Sequence, residues 1–268
     1  MWYVYGIVPA DLPLAGVPNG LDDAGVALEP CDGVAALVSV LDGAQYAPAV
    51  MEANSGDVDW LSPRAVTHDL VLTWASDQTK GAVVPLPMFS LFSGRDALQA
   101  MLRDRSEQLG SALASVAEGR EYALRVYRVE AELLGAVTSL SARLDEMAKS
   151  AAAASPGQRY LLERKLEAEK KTEARAVSQR IVDEIVTTLA PHALRHVRSP
   201  IPRVSDADAS ITGTMVLNAA FLVAPTAMDD FQKTLTSLLA AHGAHGFRFD
   251  FTGPWPPYHF VSEAARGT

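Results

Sequence analysis

From residue 119 onward the apolar pattern alternates between a period of two and a period near 3.6, in an order that few folds accept. Glu121–Glu130 reads as a strand, with Tyr122, Leu124 and Val126 on one face and Arg125 and Tyr127 on the other. Ala131–Ala154 is a helical stretch of small residues, broken at Ser155-Pro156-Gly157, where Ser155 suits a cap and Pro156 a first turn. A long helix follows over about 158–189. Leu162 and Leu166 make its start amphipathic, as Val177, Ile181 and Ile185 do its end. Its middle, Glu167 to Glu173, is wholly polar, with Glu167 and Lys171 as an i,i+4 pair, and reads as a solvated face or as an arm for a partner. Two strand-like runs, Leu194–Ile201 and Thr214–Val223, flank prolines and a polar Ser205–Ser210 turn. A helix over Met228–Ala241, opened by Pro225-Thr226 and ended at Gly243, leads to a last strand over 246–252. There Phe247, Phe249 and Phe251 share one face, and Arg248, Asp250 and Thr252 the other.

That succession is β-α-β-β-α-β, the split-βαβ order of a ferredoxin-like sandwich with an elaborated first crossover. The first half is less regular. Residues 2–8 form an apolar run on both faces, as expected of a central strand. Val26–Glu29 and Val34–Leu41 flank Pro30-Cys31-Asp32-Gly33, a hairpin with Asp-Gly turn chemistry. Ser62 as N-cap and Pro63 at the first helical position predict a helix with Ala65, Leu70, Val71 and Trp74 on its apolar face, ending near Gly81. Ala82–Leu86 follows as a short buried strand. Leu98, Leu102, Leu109, Leu113 and Val116 then mark a helix over Asp96–Ala117. The expected fold class is α+β in two domains divided near Gly119. Residues 1–118 would form a smaller α+β sandwich, and 119–268 a ferredoxin-like domain with the long helix and a Pro/aromatic tail.

The composition, 49% hydrophobic and 21% charged over 268 residues, supplies ample core for a soluble globular protein. A net charge of −9 argues against nucleic acid as a partner, since that footprint is basic. One cysteine, Cys31, excludes an intramolecular disulfide and a cysteine-based zinc site. No apolar run approaches the roughly 18 residues of a membrane span, and the N-terminus lacks a basic leader and a signal core. A cytoplasmic location is the expectation.

Candidate chemistry is sparse. His192 and His196 have the i,i+4 spacing that pairs imidazoles on a helix, but Pro191 precedes them and the following run reads as strand. No metal site is expected there. His68 and Asp69 are adjacent in a helix and so cannot face each other as an oriented base–carboxylate dyad. His242 and His245 flank Gly243 at a helix end, where the dipole favours cations. No dinucleotide, phosphate-loop or nucleophile-elbow motif is present, and no catalytic residue or cofactor is expected. The segment with most character is Gly253-Pro254-Trp255-Pro256-Pro257-Tyr258. Its prolines fix φ and remove three donors, so it is expected to stop the last strand and carry Trp255 and Tyr258 on a stiff support. Capping a core is its ordinary role; contact with a partner by Pro254, Trp255, Pro256, Pro257 and Tyr258 is the sharper one.

Four segments together resemble the gas vesicle accessory proteins GvpF and GvpL. They are Tyr3–Val8, the Trp60-Leu61-Ser62-Pro63-Arg64-Ala65-Val66-Thr67-His68-Asp69 run, Ser155–Lys165, and Thr252–Val261. Relatives usually show Pro-Leu-Arg-Phe-Gly after the buried strand, whereas this chain has Pro85-Leu86-Pro87-Met88-Phe89. The resemblance implies a cytoplasmic, non-enzymatic factor for assembling gas vesicles, the hollow protein-shelled flotation organelles. Its implied partners are the very hydrophobic shell protein and other accessory proteins, met during nucleation or growth; self-association is compatible with it. Two other readings compete: a ferredoxin-like domain for small-molecule binding or catalysis, and an assembly factor for another protein-shelled compartment.

Overall fold

The computed structural model describes residues 1–202 and 213–261, so the Ser205–Ser210 turn lies outside the described residues. The chain forms two compact units: Met1–Glu121 together with the chain from Pro254 onward, and Tyr122–Gly253. The expected boundary at 118/119 placed the tail with the second half. The tail instead belongs to the first unit, where Pro256, Pro257, Phe260 and Val261 are buried and His259 is bound to Glu121.

In the first unit, β1 (Trp2–Pro9) is buried over its whole middle because strands lie on both sides of it. β3 (Val34–Val40) pairs with it antiparallel, Trp2 opposite Val40 and Pro9 opposite Val34, with a bulge between Val4 and Gly6. β2 (Val26–Cys31) pairs with β3 through a turn whose Asp32 and Gly33 take φ of 47° and 84°, the pair of positive values a two-residue hairpin needs. Two short strands, β4 (Val84–Pro85) and β5 (Leu91–Phe92), also pair with β1. Helices α1 (Pro48–Asn54), α2 (Val58–Gln78) and α3 (Arg95–Val116) complete the unit. The five apolar residues predicted along α3 are its buried ones.

Helix α2 departs from expectation twice. It begins at Val58, where the Asp57 carboxylate caps it by accepting from the Asp59 and Trp60 amides at 3.0 and 3.3 Å. Pro63 therefore sits inside the helix, in its second turn, and removes one backbone bond, to the Asp59 carbonyl. The buried face is also rotated: His68, Val71, Leu72, Ala75 and Ser76 are inside, while Ala65 and Leu70 are exposed. A histidine satisfied by a buried partner turns the helix around its own polar side chain, which apolar counting does not anticipate.

The second unit runs β6 (Arg120–Arg128), α4 (Glu130–Leu140), α5 (Ala142–Ala153), α6 (Pro156–Leu189), β7 (Arg195–Arg198), β8 (Thr214–Val223), α7 (Met228–His242) and β9 (Phe247–Trp255). The sheet order is β7-β8-β6-β9, with β7 and β8 antiparallel. Leu124 and Val126 of β6, Ile181 and Ile185 of α6, Phe221, Phe231 and Phe247 share its core. The helical stretch expected over Ala131–Ala154 is two helices, because Ser141 leaves helical geometry and caps α5 through its hydroxyl, which accepts from Leu144 N at 3.3 Å. The same hydroxyl donates to Glu173 of α6 at 2.8 Å.

Ser155 does not cap α6 through its side chain, which bonds Gln158 instead; Pro156 does take the first helical position. Of α6, only the stretch from Ala174 is buried; its first half is exposed apart from partial cover of residues such as Leu162 and Leu166. The final strand does not stop at Gly253-Pro254 as expected. β9 is an edge strand, so Pro254 is tolerated where an amide is not required, and the strand extends to Trp255.

Candidate functional site

In the first unit, α2, the segment from β4 and the tail enclose an open cleft of about 440 Å³. Ala65, His68 and Asp69 of α2 line one side, Pro85, Leu86, Pro87 and Met88 the other, and Tyr258 enters from the tail. The walls are mostly apolar, with three polar groups among them.

Those polar groups are already engaged. The Tyr3 hydroxyl of β1 lies 2.6 Å from His68 Nδ1 and accepts from the Phe89 amide at 3.4 Å. Burial pushes the His68 pKa down to about 4, partly opposed by a hydrogen bond with the Leu86 backbone. The imidazole is thus neutral at physiological pH, and its Nδ1 accepts from the Tyr3 hydroxyl, whose own pKa burial raises. Tyr258 donates to Asp69 Oδ1 at 3.1 Å; burial, then the Asp69 charge, raises its pKa as well. His68 and Asp69 therefore serve different partners, as adjacent helical residues must.

The tail is strapped in place beside this cleft. His259 meets both oxygens of the buried Glu121, its backbone N at 2.9 Å and its ring Nδ1 at 2.6 Å. Of the five tail residues singled out from the sequence, Pro256 and Pro257 are buried, Tyr258 is half-buried in the cleft, and Pro254 and Trp255 are exposed. Tyr258→Phe is expected to lower stability by about 1–2 kcal/mol, because it leaves a partly buried carboxylate short of a donor. Urea unfolding should show this as a lower midpoint with unchanged slope. A midpoint equal to that of the unmodified chain would mean the bond adds nothing.

The start of α2 is pinned by a second cluster. Arg64 lies 4.2 Å over the Trp60 ring and pairs with Asp22 at 2.9 Å, while Tyr46 donates to the same carboxylate at 2.6 Å. Burial and Asp22 together push the Tyr46 phenol up to about 12. Phe89 stacks on Trp60, centroids 5.4 Å apart, while holding φ at 66°, a value glycine takes without strain and phenylalanine does not. It stands at the position where the family resemblance expects glycine. Pro87 and Met88, which replace the usual Arg and Phe, line the cleft.

Elsewhere the histidines are dispersed. His192 Nε2 lies 3.1 Å from Thr234 Oγ1, and His196 stacks on Phe221 from strand β7, so the pair shares no helix face. His242 closes α7 and approaches Glu184 at 3.5 Å. Among the described residues no group of three or more His, Cys, Asp or Glu is placed to hold a metal ion. None of their helices is long and apolar enough to cross a membrane.

Fold and cleft together define an α+β protein with two sheets, whose first unit carries a mostly apolar recess with bonded polar groups. The model of the gas vesicle synthesis protein GvpL/GvpF family matches residues 1–262, and the chain belongs to that family. It is 28% identical over 267 residues to gas vesicle protein L2 of Halobacterium salinarum, spanning 97% of this chain and 91% of that protein. Gas vesicle protein L of a Streptomyces species is 26% identical over 269 residues, with 98% and 93% covered. Among solved structures, the gas vesicle protein GvpF of Microcystis aeruginosa has the same fold, with a TM-score of 0.68 at 18% identity over 97% of this chain and 98% of that one. GvpF of an Anabaena species matches equally, at 0.68 and 20% identity, with the same coverage.

Proposed function

We propose that this chain is a non-enzymatic accessory factor in gas vesicle formation that binds the hydrophobic shell protein, and other accessory proteins, during nucleation or growth. Membership of the GvpL/GvpF family supports the setting. The observation that carries the mode of action is the open, mostly apolar cleft between α2 and Pro85–Met88. Its polar groups are neutral or already bonded, so an apolar side chain can enter without stripping water from an unpaired charge. A shell subunit with much apolar surface aggregates unless that surface is held until the subunit is added. The exposed Trp255 and Pro254 extend the same offer, with Pro256, Pro257 and Tyr258 as their support. The reading places the protein in the cytoplasm, at the growing vesicle, and needs no cofactor. It also takes the second unit, whose strand order puts its first and third strands in the middle, as a ferredoxin-like sandwich.

The test is co-purification of the full chain with the shell protein, alongside complementation of a strain lacking this gene. Met88→Glu, which sets a charge in the cleft, is expected to weaken capture at least tenfold, about 1.4 kcal/mol, without lowering the melting temperature. Normal vesicles in the deletion strain, with no capture by the unmodified protein, sink the proposal. The cleft volume also falls within the range of small-molecule sites, which favours a second reading. A metabolite retained through purification and lost in Met88→Glu would support that one.

A further inference from the structure

Charge is unevenly spread along this acidic chain. Residues 1–121 hold 16 Asp and Glu against 6 Lys and Arg, whereas residues 142–180 hold 9 Lys and Arg against 6 Asp and Glu. Each region presents one exposed helix face in which that charge borders uncovered apolar side chains.

On α2, Asp59, Val66, Leu70 and Asp77 are spaced i, i+7, i+11 and i+18, which puts them along one line of the helix. All four are exposed, Val66 at 58% and Leu70 at 55%. Asp77 lies 3.9 Å from Arg120, and the only cation of α2 itself, Arg64, is turned inward onto Asp22. The outer face of α2 is therefore an apolar pair bracketed by aspartates.

On the first half of α6, Tyr160 and Leu161 are 60% and 66% exposed. Arg164, Lys171 and Arg175 fall on the same side by helical spacing, and all are exposed. Glu167, seven residues after Tyr160, shares that side; Lys165 and Glu163 lie on opposite flanks and Glu169 beyond. Arg164 also stands 6.0 Å over the Tyr160 ring, which holds the cation beside the apolar pair. That face sets an apolar pair beside three cations and one glutamate, with positive charge in excess.

We propose that these two faces are halves of one interface between copies of this chain: the outer face of α2 on one protomer receives the first half of α6 from the next. The occupant follows from complementarity, because an apolar pair bracketed by aspartates and an apolar pair beside an excess of cations are carried by the same molecule. The contact is heterologous, so each bound copy leaves one face of each kind open and the assembly grows head to tail. Apolar burial supplies affinity, and the opposite charges set register and partner choice. The inference uses residues outside the cleft and needs no shell protein, so it stands or falls separately from the proposed function.

The test is sedimentation velocity on the purified full chain at low and high salt. At low salt the mean mass is expected to rise with concentration, with a dissociation constant in roughly the micromolar range, and the rise is expected to weaken about tenfold or more at 0.5 M salt. Leu70→Arg disables the α2 face, and Leu161→Ser combined with Arg164→Ser disables the α6 face without adding charge. Each variant alone is expected to stay monomeric. Mixed, they are expected to form a 1:1 dimer that grows no further, because one intact face of each kind remains. Unchanged circular dichroism and melting show that the exposed substitutions leave the fold intact. A monomeric unmodified chain at about 100 μM in low salt overturns the proposal. So does a variant that still dimerises alone, or a mixture that does not pair. Binding of acidic vesicles or nucleic acid by the α6 face in a chain that stays monomeric likewise overturns it and reassigns that face.

Discussion

Gly81→Ala is expected to destabilise the protein by about 3–5 kcal/mol. Gly81 follows α2 with φ at 96°, and its amide closes the helix end by donating to the Ser76 carbonyl at 2.8 Å. A methyl group there would lie 2.0 Å from the Gly119 carbonyl oxygen and 2.8 Å from the Arg120 guanidinium. The arginine end can swing away; the carbonyl cannot move without disturbing the end of α3, where Glu118 N already donates to the Lys80 carbonyl at 3.1 Å. Backbone strain and overpacking each cost on the order of 1–3 kcal/mol, and here they act together. The expected drop in melting temperature is roughly 6–20 °C. Gly110→Ala is the control: this glycine sits within α3 with open space around it, and alanine there is expected to be neutral or stabilising by up to about 1 kcal/mol. Equal melting of the Gly81 and Gly110 variants would refute the close approach.

Acidification is expected to weaken the fold through His68. The folded imidazole titrates at about 4 and the unfolded one near 6.5, so between these values the unfolded chain binds the extra proton. The contribution is therefore fully present above pH 6.5 and drains away as pH falls toward 4. A shift of this size corresponds to about 3 kcal/mol, and His68 is buried enough for little of that to be lost to solvent screening. His68→Gln, which can still face the Tyr3 hydroxyl, is expected to be less stable at pH 7 but to lose about 3 kcal/mol less between pH 7 and pH 4. The measurement is urea unfolding at several pH values. Parallel losses in the two proteins would show that His68 stays uncharged in neither state or in both.

The elements governed by local periodicity were readable in the sequence. The five buried residues of α3 repeat at helical spacing, and Asp32-Gly33 carries its own turn chemistry. What could not be read were places where a distant partner decides. Pro63 looks like a helix start until Asp57 is seen to cap five residues before Ser62. Pro254 looks like a stop until β9 is seen to be an edge. The cleft was hidden for the same reason: Tyr3 meets His68 across 65 positions, and Tyr258 meets Asp69 across 189. The family resemblance pointed nearer to it, since three of its four segments supply those residues, but it did not say that they touch.

The return of the tail to the first unit sets an order of events during synthesis. Residues 122–253 interrupt that unit, and Pro256, Pro257, Tyr258, Phe260 and Val261 are the last of its described parts to leave the ribosome. Until they emerge, Glu121 lacks its hydrogen bonds from His259 and the cleft lacks its Tyr258 wall. The interrupting residues, by contrast, are all available by Gly253. A nascent copy therefore has no finished recess until this returning segment has emerged, after every residue of the interrupting unit.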